Sequence, residues 1–101
     1  LIYSVYPAEG VTMLYYYTVY AKADCGYCAR AINELVSCGV DHLLVLLDRA
    51  PDFHSHLKGE YDWETVPLIV KSNKVSGDDV EFIGGYDDLM LRLKEDGLSE
   101  E

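Results

Sequence analysis

The chain has 101 residues, half of them apolar, which suits one domain with a single hydrophobic core. Its formal net charge is −10, and 13 of its 18 acidic residues fall in residues 51–101, so binding to phosphate backbones of nucleic acids is not expected. No stretch approaches the roughly 20 uninterrupted apolar residues of a membrane helix, so no membrane span is expected either.

The pattern of apolar and turn residues predicts the element order β-α-β-α-β-β-α. The predicted elements are a strand at 14–20, a helix from about 27 to 38, a strand at 42–47, a weaker helix from 51 to about 59, a strand at 66–70, its hairpin return at 80–83 and a helix at 87–94. The first strand–helix–strand unit predicts a parallel pair, and the hairpin adds antiparallel strands. The expected fold class is α/β, with a four-stranded mixed sheet flanked by three helices.

The strand predicted at His42–Leu47 is a nearly continuous apolar run between Asp41 and Asp48. Such a run is typical of a strand that is buried on both faces of a sheet. Gly39 follows the first predicted helix and suits the left-handed position that ends a helix.

The chain has three cysteines, and an odd count argues against a fully paired disulfide scaffold. A reducing compartment, with a cytoplasmic location, is the expectation that follows. Ala21-Lys22-Ala23 has the form of a signal-peptide cleavage site, but no basic segment precedes it, so we expect no cleaved signal here.

Cys25 and Cys28 are separated by two residues and lie at the start of the first predicted helix. At a helix N-terminus, amide groups and the helix dipole stabilise a thiolate, which is the attacking species in disulfide exchange. Cys25 is therefore the predicted nucleophile, and Cys28, one turn into the helix on its apolar face, would resolve a mixed disulfide. Lys22 would add positive charge nearby, whereas Asp24 acts in the opposite direction.

Zinc binding is the competing interpretation of this cysteine pair. A zinc site needs further ligands, and the remaining cysteine and histidines have no standard spacing; they are Cys38, His42, His54 and His56. Cys38 is expected to be a partly buried apolar residue, and the two histidines of the weaker helix are expected to be solvated. A strand directly before the pair and a helix directly after it favour a redox function and no metal site.

Three separated motifs together resemble those of the glutaredoxins, a branch of the thioredoxin fold. They are Lys22-Ala23-Asp24-Cys25-Gly26-Tyr27-Cys28, Thr65-Val66-Pro67 and Gly84-Gly85-Tyr86-Asp87-Asp88-Leu89. The resemblance covers residues 14 to 98. It implies a glutathione-dependent thiol–disulfide oxidoreductase that reduces protein disulfides or glutathione mixed disulfides, with glutathione as its reductant and binding partner.

The resemblance also implies roles for residues outside the cysteine pair. Pro67 would be a cis-proline facing the cysteines, and Thr65 and Val66 would pair with the main chain of the substrate. The start of the last helix would also hold glutathione, through Gly85, Tyr86, Asp87 and Asp88. Two side chains near the cysteines, Lys22 and Tyr27, would complete the site. Asp87 would bind the γ-glutamyl ammonium, Lys22 the glycyl carboxylate, and Tyr27 would pack beside the mixed disulfide, while Asp88 would assist or cap the helix.

Gly26 departs from the commonest family motif, which has proline at this place. Glycine-containing variants in the family are associated with a [2Fe–2S] cluster held between two subunits, so Cys25 would then be a cluster ligand together with glutathione. This cluster-binding dimer is the alternative function. A glutathione-independent, thioredoxin-like hydrogen donor is a third, and Tyr27 and Gly84–Asp88 count against it.

The glutaredoxin domain is predicted to span residues 13–101, and residues 1–12 form an N-terminal extension or leader. The sequence Ile2-Tyr3-Ser4-Val5-Tyr6 echoes Tyr16-Tyr17-Thr18-Val19-Tyr20 in the first predicted strand, so an extra edge strand is the other interpretation. A monomer is expected. Its partners would be disulfide-containing proteins, and ribonucleotide reductase is a substrate that the family resemblance implies.

Overall fold

The computed structural model describes residues 14–99 and confirms the predicted α/β fold class. Its strands are β1 (Tyr15–Ala21), β2 (His42–Leu46), β3 (Leu68–Asn73) and β4 (Asp79–Gly84), and its helices are α1 (Gly26–Cys38), α2 (Pro51–Tyr61) and α3 (Tyr86–Glu95). All seven elements occur in the predicted order. The third strand begins later and runs further than predicted, since Val66 and Pro67 belong to the loop before it.

The four strands form one mixed sheet in the order β2-β1-β3-β4. β1 pairs in parallel with β2 and antiparallel with β3, so that Val19 lies beside Leu44 on one side and Ile69 on the other. β3 and β4 form the predicted antiparallel hairpin. The end of β1 that leads to the cysteines is therefore the same end at which β2 finishes.

The core has two parts because successive side chains of β1 and β3 point to opposite faces of the sheet. One cluster packs α1 and α3 against the sheet; its buried members include Val19, Ala31, Leu35, Ile69, Leu89 and Leu93. The other packs α2 against the opposite face and contains Leu47, Leu57, Leu68 and Val70. α1, which carries the cysteines, is thus fixed to the sheet along its length.

Helix α1 ends as its sequence predicts. Gly39 has a φ of 69°, and its backbone N–H donates to the carbonyls of Leu35 and Val36. This left-handed conformation costs glycine little because it has no Cβ. The chain can therefore reverse and enter β2 beside β1.

The prediction that β2 is buried on both faces is wrong. Among the strands of residues 14–99, β2 is the outermost on its side of the sheet, and Leu43, Leu44 and Leu46 are 54%, 51% and 53% exposed. An apolar run predicts a strand, but whether helices cover that strand depends on its place in the sheet. Here β1, not β2, occupies the covered position, and β2 keeps apolar side chains at the surface.

The predicted N-terminal extension, residues 1–12, lies outside the described residues. Within residues 14–99, no helix is both long enough and apolar enough to cross a membrane.

Candidate active site

Cys25 is the N-cap residue of α1, in an extended conformation that follows the loop after β1. The backbone N–H of Cys28 donates to Sγ of Cys25 over 3.1 Å. The two cysteines form a disulfide, with their Cα atoms 5.2 Å apart. The first sulfur therefore lies at the positive end of the helix dipole, as the spacing predicts.

The two cysteines differ in burial. Cys28 is 3% exposed and belongs to the core cluster between the sheet and α1, whereas Cys25 is only partly buried. A substrate from solvent can reach the sulfur of Cys25, while Cys28 reaches only what is already attached to Cys25. A nucleophile and a resolving thiol require this difference in burial, and the two roles themselves stay predictions.

A groove beside Tyr27 brings together eight of the nine residues predicted to bind glutathione. We call it the polar groove; it is lined by Tyr27, Trp63, Thr65, Val66, Pro67, Gly85, Tyr86, Asp87 and Asp88. Residues far apart in sequence meet here because β3 begins, and β4 ends, at this edge of the sheet.

The loop before β3 forms the wall of the polar groove nearest the cysteines. The Val66–Pro67 peptide bond is cis, and the carbonyl oxygen of Val66 lies 3.8 Å from Sγ of Cys25. Thr65 is exposed at the same wall. A ligand attached to Cys25 would therefore lie beside the main chain of residues 65–67.

The opposite wall is the start of α3. Gly84 has a φ of 121°, and the backbone N–H of Gly85 donates to Oδ2 of Asp88 over 3.0 Å. A Cβ on Gly85 would lie 3.3 Å from the Trp63 ring. Asp88 thus caps the helix, while the exposed carboxylate of Asp87 makes no ion pair or hydrogen bond with the described residues. Asp87 is therefore available to a cationic group of a ligand.

Aromatic rings close the rest of the polar groove. The Tyr27 and Tyr86 ring centroids are 5.7 Å apart, and the Arg30 guanidinium lies 5.3 Å from the Tyr27 centroid. Trp63 lines the groove and packs edge-on against Phe82. Trp63 therefore contributes both to the groove and to the packing of the core.

Lys22 is the one predicted glutathione-binding residue that does not line the polar groove. It lies on the other side of the cysteines, in a second depression between α1 and β2. We call this the apolar groove; it is lined by Ala21, Lys22, Ala23, Cys25, Cys28, Ala29, Ile32, Asn33, Leu44 and Leu46. The cysteine pair therefore stands between two grooves of different chemistry.

The Glutaredoxin family model matches residues 17–75, more than half of the chain and including both cysteines. The chain belongs to the glutaredoxin family. A probable monothiol glutaredoxin of Legionella pneumophila is 36% identical over 69 residues, which cover 67% of this chain and 78% of that protein.

Solved glutaredoxin structures share the fold of this family member. A buckwheat glutaredoxin in complex with glutathione is 25% identical, with a TM-score of 0.63, covering 88% of this chain and 79% of that one. The holo form of glutaredoxin C1 from Populus tremula x tremuloides is 27% identical, with a TM-score of 0.64, covering 86% and 75%.

Asp48 is a residue of this glutaredoxin's site that sequence reasoning missed. Its carboxylate accepts the backbone N–H of Ala23 over 3.1 Å and so holds the loop that leads to Cys25. The available signal is its position directly after the apolar run of β2, since parallel strands end at the same edge of a sheet. Asp48 is a positioning residue, because it contacts the loop and not the sulfur atoms.

The remaining zinc candidates of this glutaredoxin do not assemble into a site. Across residues 14–99, no cluster of three or more His, Cys, Asp or Glu side chains could hold a metal ion.

Cys38 is partly buried as predicted and donates to Glu34, and burial raises its pKa. His56 is exposed, but the expectation for His54 is wrong: it is 9% exposed, and burial, with Lys58 and Lys22, lowers its pKa.

Proposed function

We propose that this glutaredoxin is a glutathione-dependent thiol–disulfide oxidoreductase, acting as a cytoplasmic monomer on protein disulfides and glutathione mixed disulfides. The observation that carries the proposal is the Cys25–Cys28 disulfide at the N-terminus of α1, with only Cys25 accessible. The polar groove lies beside this cysteine and contains the free carboxylate of Asp87, which supports glutathione as the co-substrate.

The first step is attack by the Cys25 thiolate on one sulfur of a substrate disulfide. A bond forms between Sγ of Cys25 and that sulfur, the substrate S–S bond breaks, and the other substrate sulfur leaves as a thiolate. The Cys28 N–H, 3.1 Å from Sγ, and the helix dipole stabilise negative charge on Cys25 before attack. Attack on the glutathionyl sulfur leaves Cys25 joined to glutathione.

Glutathione in the polar groove would be held at both ends. The γ-glutamyl residue of glutathione has an ammonium group, which pairs with Asp87, and a carboxylate, which binds the free amides at the start of α3. Its main chain pairs with the backbone of Val66, between Thr65 and Pro67, as an added strand would. Lys22 is exposed in the apolar groove on the other side of Cys25, and in this proposal it pairs with the glycyl carboxylate.

Two routes regenerate the reduced enzyme. In the dithiol route, the Cys28 thiolate attacks the sulfur of Cys25 in the mixed disulfide, expels the substrate thiolate and forms the Cys25–Cys28 disulfide, which two glutathione molecules then reduce. In the monothiol route, a second glutathione thiolate attacks the glutathionyl sulfur and releases glutathione disulfide. The buried position of Cys28 supports the dithiol route for protein disulfides.

Separate cysteine substitutions test the proposal. Cys25→Ser is expected to abolish turnover of every disulfide, because no other accessible thiol lies at the N-terminus of α1. Cys28→Ser is expected to keep turnover of a glutathione mixed disulfide and to lose reduction of protein disulfides. The measurement is the rate with glutathione and glutathione reductase as the sole reducing system.

Cys38→Ser is the matched control, since Cys38 lies at the far end of the same helix and donates to Glu34. It is expected to behave like the unsubstituted protein with both substrates. Retained turnover in Cys25→Ser contradicts the proposed mechanism. Turnover that depends on thioredoxin reductase and not on glutathione would instead support a thioredoxin-like hydrogen donor.

A glutathione-ligated [2Fe–2S] dimer is the second candidate. The similarity to a protein called a probable monothiol glutaredoxin, and Gly26 in place of a stiffening proline, favour it. At the site each chain offers one accessible cysteine, Cys25, because Cys28 is buried, and the described residues contain no cluster of metal-ligating side chains. A single chain therefore does not supply the ligands that such a cluster needs.

A further inference from the structure

The apolar groove is an open, mostly aliphatic surface that touches the reactive disulfide. Six of its ten lining residues are alanine, leucine or isoleucine, and Lys22 is the one charged residue among them. Leu44 and Leu46 contribute side chains that are more than half exposed. Both cysteines belong to its wall, whereas neither belongs to the lining of the polar groove.

The two grooves lie on opposite sides of Cys25 and suit different ligands. The polar groove offers Asp87, a helix N-terminus and a backbone edge, which match the ammonium and carboxylates of glutathione. The apolar groove lacks partners for the several charges of glutathione. A ligand with aliphatic side chains would instead be stabilised there, because binding removes aliphatic surface from water. A mixed disulfide between glutathione and a protein has two unlike halves that correspond to these two surfaces.

We propose that the apolar groove binds the polypeptide half of the substrate, an extended segment with apolar residues beside its disulfide-bonded cysteine. This inference rests on the proposed function, because the segment is positioned for exchange at Cys25. The apolar groove would thus select protein substrates by the residues that flank their cysteine.

The edge of the sheet supports an extended occupant. β2 pairs with β1 on one side, and none of the other described strands pairs with its outer edge. Leu44 and Leu46 are two residues apart and so point to the same face of that strand, towards α1. A segment lying along β2 can pair with main-chain groups that no other described strand uses, while its alternate side chains cover the two leucines.

The exchange step balances with the segment in this position. The Cys25 thiolate attacks the glutathionyl sulfur, the S–S bond to the polypeptide breaks, and the polypeptide cysteine leaves as a thiolate. Cys25 is then joined to glutathione, and a second glutathione thiolate regenerates it and leaves as glutathione disulfide. The apolar groove changes no bond; it raises the fraction of time that the disulfide lies beside Cys25.

Two synthetic decapeptides test the proposal. Each contains one glutathionylated cysteine, flanked by leucine and valine in one peptide and by serine and glycine in the other. The unsubstituted glutaredoxin is expected to turn over the apolar peptide with a kcat/KM roughly tenfold higher, mainly through a lower KM, as burial of two aliphatic side chains implies. The double variant Leu44→Gln, Leu46→Gln is expected to lose most of that preference.

The matched control is the double variant Leu43→Gln, Leu91→Gln. Both leucines are exposed to a similar degree, at 54% and 57%, and neither lines a groove beside the cysteines. This control is expected to keep the tenfold preference. Because all four leucines are largely exposed, thermal unfolding of both double variants should match that of the unsubstituted protein.

The outcomes separate this inference from the function on which it rests. Equal turnover of the two peptides by the unsubstituted protein, or an unchanged preference in the Leu44, Leu46 variant, overturns the docking surface and leaves the oxidoreductase intact. Turnover of neither peptide contradicts the proposed function itself. Loss of the preference in both double variants contradicts the assignment to this groove.

Discussion

Gly84 shows how closely one residue fits beside the polar groove. Its φ of 121° lies in a region that side chains other than glycine rarely adopt, and an added Cβ would lie 2.5 Å from Oδ2 of Asp88. The carboxylate of Asp88 cannot move away freely, because it accepts the backbone N–H of Gly85. The backbone conformation at Gly84 and the cap on α3 therefore both require a residue without a side chain at this position.

Gly84→Ala is expected to lower the free energy of unfolding by about 1–3 kcal/mol, from backbone strain and a weakened cap on α3. Denaturant unfolding measures this change. The matched control is Gly59→Ala, because Gly59 lies in α2 and a Cβ there meets no atom within 4 Å. That substitution should stabilise by about 0.5–1 kcal/mol, since alanine is the better helix former. Equal effects at the two positions would contradict this account.

At the residue scale, the sequence predicted that Cys25 and Cys28 lie at a helix start and that Gly84-Gly85 precedes the last helix. Each of these is a local pattern with a local physical reason. It did not separate Lys22 from the other eight predicted glutathione-binding residues. Lys22 is three residues from Cys25 in sequence, but the loop between β1 and α1 directs it to the apolar groove. Side-chain direction in a loop depends on the surrounding packing, which a motif does not contain.

At the scale of elements, α3 is attached to the edge strand β4 by a bidentate ion pair. The guanidinium of Arg92 donates to both carboxylate oxygens of Glu81, and this hydrogen bonding holds the pKa of Glu81 below its usual value. α3 begins at the polar groove, so the pair fixes the element that presents Asp87 and Asp88.

Glu81→Gln is expected to destabilise the protein by about 1 kcal/mol near pH 7, because bidentate geometry partly offsets solvent screening of this partly exposed pair. The pKa of Glu81 is lowered in the folded state, so its stabilising contribution is present above the ordinary pKa that the group has in the unfolded chain and is lost as the pH falls through the lower folded value. Unfolding free energies measured from pH 7 to pH 3 should therefore converge for the two proteins.

Glu60→Gln is the control for this comparison. Glu60 is more exposed and lies 4.0 Å from His56, so its substitution should change stability little across the same pH range. A difference between Glu81→Gln and the unsubstituted protein that stays constant down to pH 3 would show that the charge of Glu81 does not carry the effect.

At the scale of the whole molecule, the two functions differ in assembly. A dithiol oxidoreductase works as a single chain, whereas a [2Fe–2S] cluster would need a second chain to complete its ligands. Cys28 is buried, so once the disulfide is reduced Cys25 is the accessible thiol of the pair in each chain.

Anaerobic purification with glutathione is therefore expected to give a colourless monomer that is active in disulfide reduction. Absorbance spectra and size-exclusion chromatography make the measurement. A brown dimer with visible absorbance that loses its colour in Cys25→Ser would favour the cluster-binding alternative instead. The Cys38→Ser variant is the control, because Cys38 lies at the other end of α1 from the site.

The sequence by itself determined the order of elements, the α/β class, the position of Cys25 and Cys28 at a helix start and the three motifs of the family. The order of elements, the class and the helix start follow from periodicity, turn residues and spacing along the chain, which are local properties, whereas the three motifs rest on the resemblance to the family. The tertiary structure decided which strand lies at the edge, that His54 is buried, and that the cysteines stand between a polar and an apolar groove. The lateral order of strands is set by packing between residues far apart in sequence. For this reason β1 and β2, which are both rich in apolar residues, differ in burial: β1 is covered and β2 is exposed.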